Sequence, residues 1–195
     1  MQDPWHHLPA DGAALRPRAF WRVVGRVEHE ALDFKRSANH LREAVPAMAM
    51  SRGGVIALGV SDDRRLVGRP LDQETLDRIT SVAYESGVEV EVRAIRVGRV
   101  PLTLVLVPAV RDRIVTTPDG RLLRRVGSTN QPLKGDAVAR FVRAREAERP
   151  GWPVPPAEPA RAAEPAPAGW PSPTAKPARH GLLGRRRRPA LVPTR

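Results

Sequence analysis

Apolar and polar residues alternate along the chain with two different periods. Leu15, Phe20 and the pair Val23-Val24 recur at loosely helical spacing between residues 14 and 25, with Gly25 as the stop. Leu32 and Phe34 alternate with Asp33 and Lys35, the period of a strand. Its apolar pair is expected to anchor the core and its charged pair to face outward. Residues 39–50 put Leu41, Val45 and Met48 on one helical face with Ser37 or Asn39 as cap. Pro46 removes an intrahelical bond there, so the helix is expected to kink or break. Gly53-Gly54 then opens VIALGV, a continuous apolar run suited to a strand buried on both faces and closed by Asp62-Asp63.

Residues 72–86 place Leu76, Ile79, Val82 and Ala83 on one face and end at Gly87, which predicts an amphipathic helix. Val88, Val90 and Val92 alternate with Glu89, Glu91 and Arg93, the pattern of a half-exposed strand, whereas residues 102–107 are apolar on both faces and belong at the centre of a sheet. Pro118-Asp119-Gly120 is turn chemistry between IVTT and RLLRRV and predicts a hairpin. Residues 136–148 form a last helix with Val138, Phe141 and Val142 inward and the arginines outward. Helices and strands in this order favour an α+β architecture, a mixed β-sheet packed by helices in a single lobe.

Composition sets the domain limits. Of the 21 prolines, 12 fall in residues 150–195, where Ala fills most gaps and no periodic apolar pattern survives. Such a segment cannot bury enough surface to offset chain entropy. The chain is therefore divided into a flexible N-terminus (1–13), one domain (14–148) and a disordered Pro/Ala/Arg-rich basic tail (149–195). Net charge is +12, and half of it lies in the last 46 residues. That balance suits a polyanionic partner such as nucleic acid. Cysteine is absent, which excludes disulfides and thiolate metal sites. The five histidines show no ligand spacing beyond the adjacent His6-His7, so no structural zinc is expected. Neither a signal-peptide core nor a membrane span is visible, and a cytoplasmic protein is expected.

The densest chemistry is VEHEALDFK, residues 27–35, where Glu28, Glu30, Asp33 and Lys35 surround Leu32 and Phe34. Taken alone, these charges suit an exposed ion pair and solvated loop groups as well as a functional centre. Lys35, Arg36, Arg64, Arg65, Arg124 and Arg125 are the candidates for phosphate contact, which positions a nucleic acid without reading its bases. In the tail, Arg185, Arg186, Arg187 and Arg188 form a cationic run that adds sequence-independent affinity. Trp152 and Trp170 stand out in that polar segment as docking or stacking groups. No G-x-x-x-x-G-K-[ST] occurs, so Gly53-Gly54 is read as a tight turn and not as a nucleotide cradle.

In order and spacing, Glu28-x-Glu30-x-Leu32-Asp33-Phe34-Lys35, AMAMSRGG (residues 47–54), VIALGVSDDRRLVG and Arg124-Arg125-Val126-Gly127-Ser128-Thr129 resemble the AlbA-type DNA-binding domain of the Schlafen superfamily. The resemblance spans residues 18–145. Asp33 stands where the family usually has Glu, Met48 where it has Phe, and Met50 where it has Asn. The resemblance implies nucleic-acid binding, DNA or RNA, by a domain that needs no cofactor for that task. In nucleolytic members it implies a further activity. Glu28, Asp33 and Asp62, with Asp63 as a substitute for the last, would hold Mg²⁺ or Mn²⁺ in a metal-dependent endoribonuclease. Those members carry two lobes and this chain has room for one, so a catalytic or saddle-like function calls for a homodimer. A third alternative is a regulatory scaffold whose tail recruits a protein partner. Binding without cleavage is the preferred expectation.

Overall fold

The computed structural model describes residues 5–148. In chain order the elements are β1 (Ala14–Leu15), α1 (Pro17–Val24), β2 (Leu32–Lys35), a single 3-10 turn (Ala38–His40), α2 (Leu41–Ala49), β3 (Gly54–Leu58), α3 (Gln73–Ser86), β4 (Glu91–Val97), β5 (Val100–Val107), β6 (Leu123–Val126), β7 (Thr129–Pro132) and α4 (Asp136–Ala147). Among the described residues, β1-β4-β5-β3-β2 is the order of the main sheet, and β6 and β7 form a separate hairpin. The pairs β1–β4 and β2–β3 are parallel, while β3–β5 and β4–β5 are antiparallel. The mixed α+β architecture expected from the element order is the one observed.

β3 and β5 occupy the middle of the sheet because their sequences offer no polar face. Every residue of β3 is buried, as are the last six of β5. Side chains of a strand alternate between faces, and here each face has its own core. Ile56, Leu58, Val105 and Val107 pack with Leu41, Val45 and Met48 of α2 and Ile79 and Val82 of α3. On the opposite face, Val55, Ala57, Leu102, Leu104 and Leu106 pack with Leu32 and Phe34 of β2 and Phe20 and Val24 of α1.

Several elements differ from their sequence expectation, each for a packing reason. α2 runs unbroken through Pro46, because its residues from Ala44 to Ala49 are buried and that burial offsets one missing hydrogen bond. In α3, Asp72 caps the Thr75 N–H at 2.8 Å and Thr75, Ile79 and Val82 turn inward, which leaves Leu76 38% exposed. The Pro118-Asp119-Gly120 turn exists but opens no strand pair. It closes on Thr117 and Arg121, while the true hairpin follows one turn later around Gly127-Ser128. The preceding segment is held elsewhere, with Val115 buried and its N–H donated to Met50 Sδ at 3.3 Å. Met50 thus serves the core, which accounts for an apolar residue where the resembled family has Asn.

Residues 5–13, assigned to a flexible N-terminus, are packed against the domain. Leu8 is buried, the Gly12 N–H reaches the Ala94 carbonyl, and the buried Arg93 donates to the carbonyls of Trp5 and Pro9. The tail from residue 149, with Arg185, Arg186, Arg187, Arg188, Trp152 and Trp170, lies outside the described residues.

Candidate nucleic-acid interface

β2 is an edge strand, and its outward backbone groups need partners that no neighbouring strand supplies. A backbone bridge between His29 and Leu32 supplies some of them, and side chains supply others. Glu28 Oε1 accepts the Phe34 N–H at 2.8 Å, and Arg125 Nη2, reaching across from β6, donates to the Leu32 carbonyl at 3.1 Å. The same Arg125 Nη2 donates to Asp33 Oδ1 at 3.0 Å, its Nε to the His29 carbonyl and its Nη1 to Asn130 Oδ1. Lys35 Nζ meets Asp33 Oδ1 at 2.8 Å from the same strand face.

Asp33 and Arg125 are each 1% exposed, which overturns both expectations for them. Asp33 does not face outward, and Arg125 is no surface phosphate contact. The alternation itself is as expected, since Leu32 and Phe34 enter one core while Asp33 takes the other side. That other side is covered by the hairpin, which sequence periodicity within β2 cannot reveal. The buried carboxylate is tolerated because two cations share its Oδ1.

Asp33 Oδ2 is buried and has no donor. Neighbouring Glu28 would supply one when its carboxyl is protonated. Burial pushes the Glu28 carboxyl above its ordinary range, and its hydrogen bond with Asp33 pushes the same way. For Asp33, burial alone would raise the carboxyl, but the hydrogen bonds from Glu28 and Lys35 and the charges of Lys35 and Arg125 bring it below the usual range. The signs oppose one another in pH. The raised Glu28 makes stability grow as pH falls from above its folded value toward its ordinary one. The lowered Asp33 contributes stability above its ordinary value that is lost as pH falls through its folded one. Stability should therefore peak at mildly acidic pH. Glu28→Gln mimics the protonated acid, with an amide that donates to Asp33 and an oxygen that accepts from Phe34. Urea midpoints between pH 4 and 8 should show the variant at least as stable as the wild type at neutral pH, without the rise on acidification. A neutral-pH loss would mean that Glu28 acts there as a charge.

The other candidates sort by exposure and partner. Parallel pairing of β2 and β3 brings their carboxyl ends to one edge of the domain, where the Lys35 carbonyl accepts the N–H groups of Gly59 and Val60. Lys35-Arg36 and the loop from Ser61 to Arg65 therefore lie side by side. Lys35, Arg36, Ser37, His40 and Asn130 line one groove there together with two acids, Asp62 and Glu43, the latter paired with Arg121. In the loop, Ser61 bonds Asp63 and the Arg65 backbone, and Asp63 pairs with Arg65 at 2.9 Å. Arg36 and Arg64 are exposed and have no acidic partner among the described residues. Arg124 is likewise exposed and unpaired, but it lies at a different cavity with Arg52, Arg111 and Arg145. Sequence reading passed over those three arginines and placed the arginines of α4 outward, whereas Arg145 is 6% exposed.

The three-carboxylate metal centre implied by the resemblance does not fit this arrangement. Among the described residues, no three of His, Cys, Asp and Glu gather closely enough to hold a metal ion. Glu28 and Asp33 come together, but Asp33 already binds two side-chain cations and Asp62 lies in the groove beyond Lys35.

Among the described residues, no helix is long and apolar enough to cross a membrane. No curated protein matches the chain. A solved structure, the DIP2311 protein from Corynebacterium diphtheriae, matches with a TM-score of 0.51 and 22% identity over 62% of this chain, and the match spans 28% of that protein's length. At that identity the likeness is one of fold. The family model described as Schlafen, AlbA_2 matches residues 28–134, more than half of the chain and the stretch from Glu28 through the hairpin. This match over more than half of the chain, in agreement with the order of the motifs, places the chain in the Schlafen AlbA_2 family.

Proposed function

We propose that the protein binds nucleic acid through its phosphate backbone, without sequence preference, at the edge where β2 and β3 end. The observation that carries this proposal is the parallel pairing that brings the groove residues Lys35 and Arg36 beside the loop that carries Arg64, with both arginines exposed and free of acidic partners among the described residues. Unpaired arginines at a groove are suited to phosphate oxygens, and contacts of this kind fix orientation without carrying sequence information. Family membership is consistent with that role. The groove's lining includes no Trp, Tyr or Phe, which favours phosphate-backbone contact over base stacking. The arginines at 185–188 add a sequence-independent contribution to affinity.

The test is fluorescence anisotropy with labelled duplex DNA, single-stranded DNA and tRNA across a series of salt concentrations. Arg36→Ala/Arg64→Ala should weaken binding to different sequences alike and reduce the slope of log K against log salt by about 2 units on duplex DNA, one for each lost phosphate contact. An unchanged slope would remove this groove from the interface. Failure of all three nucleic acids to bind would refute the function itself.

A further inference from the structure

The strongest feature outside that groove is an arginine cavity on the other side of the hairpin. Its volume is about 410 Å³, within the range of small-ligand pockets. Arg52 follows α2, Arg111 follows β5, Arg124 lies on β6 and Arg145 lies in the last turn of α4, so four segments remote in sequence each supply a cation. Two glutamates, Glu30 and Glu148, stand opposite them. Their ion pairs are long, at 3.5 Å from Arg52 to Glu30, 3.8 Å from Arg111 to Glu148 and 3.9 Å from Arg145 to Glu148. Good charge-assisted hydrogen bonds are about 2.7–2.9 Å, so the glutamates neutralise the cavity only loosely. Arg125 also borders the cavity, but its charge is already matched by Asp33.

Arg145 is the unusual member. It is buried, and it donates Nη2 to the Met50 carbonyl at 2.8 Å and Nη1 to the Val110 carbonyl at 3.1 Å while its guanidinium lies over the Phe141 ring. These bonds fix its position and use two of the five guanidinium N–H groups. Burial, followed by the charge of Arg111, pushes its pKa down; Glu148 pulls the other way, and Arg124 adds a smaller downward push. Like charges held together by the fold at a partly desolvated wall are stabilised by an anion that binds several of them at once. Planar guanidinium forks match phosphate oxygens in particular.

We infer that this cavity is a binding site for a phosphomonoester, with Arg145 as its fixed base, Arg52, Arg111 and Arg124 closing on the phosphate oxygens, and Glu148 as a weak internal competitor. A monoester carries up to two negative charges and three terminal oxygens, against one charge and two free oxygens for an internal phosphodiester. That difference favours an end group in a site with an excess of two cations. The monoester has two sources, the terminal phosphate of a nucleic-acid strand or a free mononucleotide. The cavity is separate from the Lys35 groove, and the two sites can fail independently.

Isothermal titration of the full-length protein with adenosine 5′-monophosphate, adenosine and orthophosphate tests the site directly. Matched duplexes with 5′-phosphate or 5′-hydroxyl ends test the polymer source. The wild type should bind the monophosphate and not the nucleoside. Arg52→Ala/Arg111→Ala, at two exposed positions, should weaken that binding at least tenfold with the thermal midpoint unchanged. Glu148→Gln should tighten it severalfold, a gain that loss of folding cannot imitate. A preference for 5′-phosphorylated duplex assigns the strand end as the source, and monophosphate binding without that preference assigns the free nucleotide. Equal or absent binding of monophosphate and nucleoside, together with equal affinity for both duplex ends, overturns the site even if the duplexes still bind. Conversely, monophosphate binding with no binding of duplex DNA, single-stranded DNA or tRNA upholds the site and refutes the groove.

Discussion

Arg125→Met should cost about 3–5 kcal/mol of folding stability, because removing one partner of a buried ion pair leaves the other charge uncompensated. The abandoned group is Asp33, which is 1% exposed and would keep Lys35 as its one cationic partner. The His29 and Leu32 carbonyls and Asn130 lose donors at the same time, and with them goes the tie between the edge of β2 and the hairpin. Urea unfolding should show a lower midpoint with an unchanged slope, and the thermal midpoint should fall by on the order of 10 °C. Arg125→Lys should recover only part of the loss, since one ammonium cannot reach four acceptors spread around a planar fork. Combining Arg125→Met with Asp33→Leu should recover most of it, because replacing both members of a buried pair by apolar groups is often close to neutral. The same variants separate two roles for Arg125. A phosphate contact would weaken nucleic-acid binding and leave stability alone, whereas a clamp lowers stability first.

The contrast between Arg125 and its neighbour Arg124 indicates how far the sequence can be read. Both lie on one strand and both looked like phosphate contacts, but strand alternation sends Arg124 to the solvent side and Arg125 into the core. Periodicity within β6 predicts that they differ, but not which one is buried, because the answer depends on where the hairpin docks. The same holds for Asp33, whose alternation with Leu32 and Phe34 was legible while the covering hairpin was not. Elements with strong local signals, such as α3 between its Asp72 cap and Gly87 stop, were placed almost to the residue. The shift of its buried face from Leu76 to Thr75 is a matter of rotation, which packing against α2 decides. The arginine cavity was invisible for a different reason. Its members at 52, 111, 124 and 145 come from four segments, and no local pattern joins them. A general excess of arginine over acidic residues was the one available signal, and it does not point to a place.

Gly53→Ala should be similarly damaging, and Gly127→Ala serves as its control. Both glycines have positive φ, +70° and +59°, where an alanine is strained. At Gly127 an added Cβ meets nothing within 4 Å, so only the backbone conformation is penalised, by about 1–2 kcal/mol. At Gly53 the Cβ would lie 2.5 Å from the Val107 carbonyl oxygen and 2.7 Å from the Ala109 nitrogen, both backbone atoms at the end of the central strand β5. Neither can swing aside as the tip of a flexible side chain could. The Gly53 N–H also donates to the Met48 carbonyl at 2.9 Å, which ends α2 and fixes where β3 begins. Moving this turn would displace Ser51, whose Oγ accepts the Arg125 N–H, and Arg52 at the arginine cavity. Strain plus steric overlap should cost about 3 kcal/mol or more. Urea unfolding of the two variants side by side should place the Gly53→Ala midpoint clearly below that of Gly127→Ala, and the gap measures the close approach alone. Equal midpoints would mean that the turn can open without disturbing β5. The glycine would then be needed for its φ and not for space.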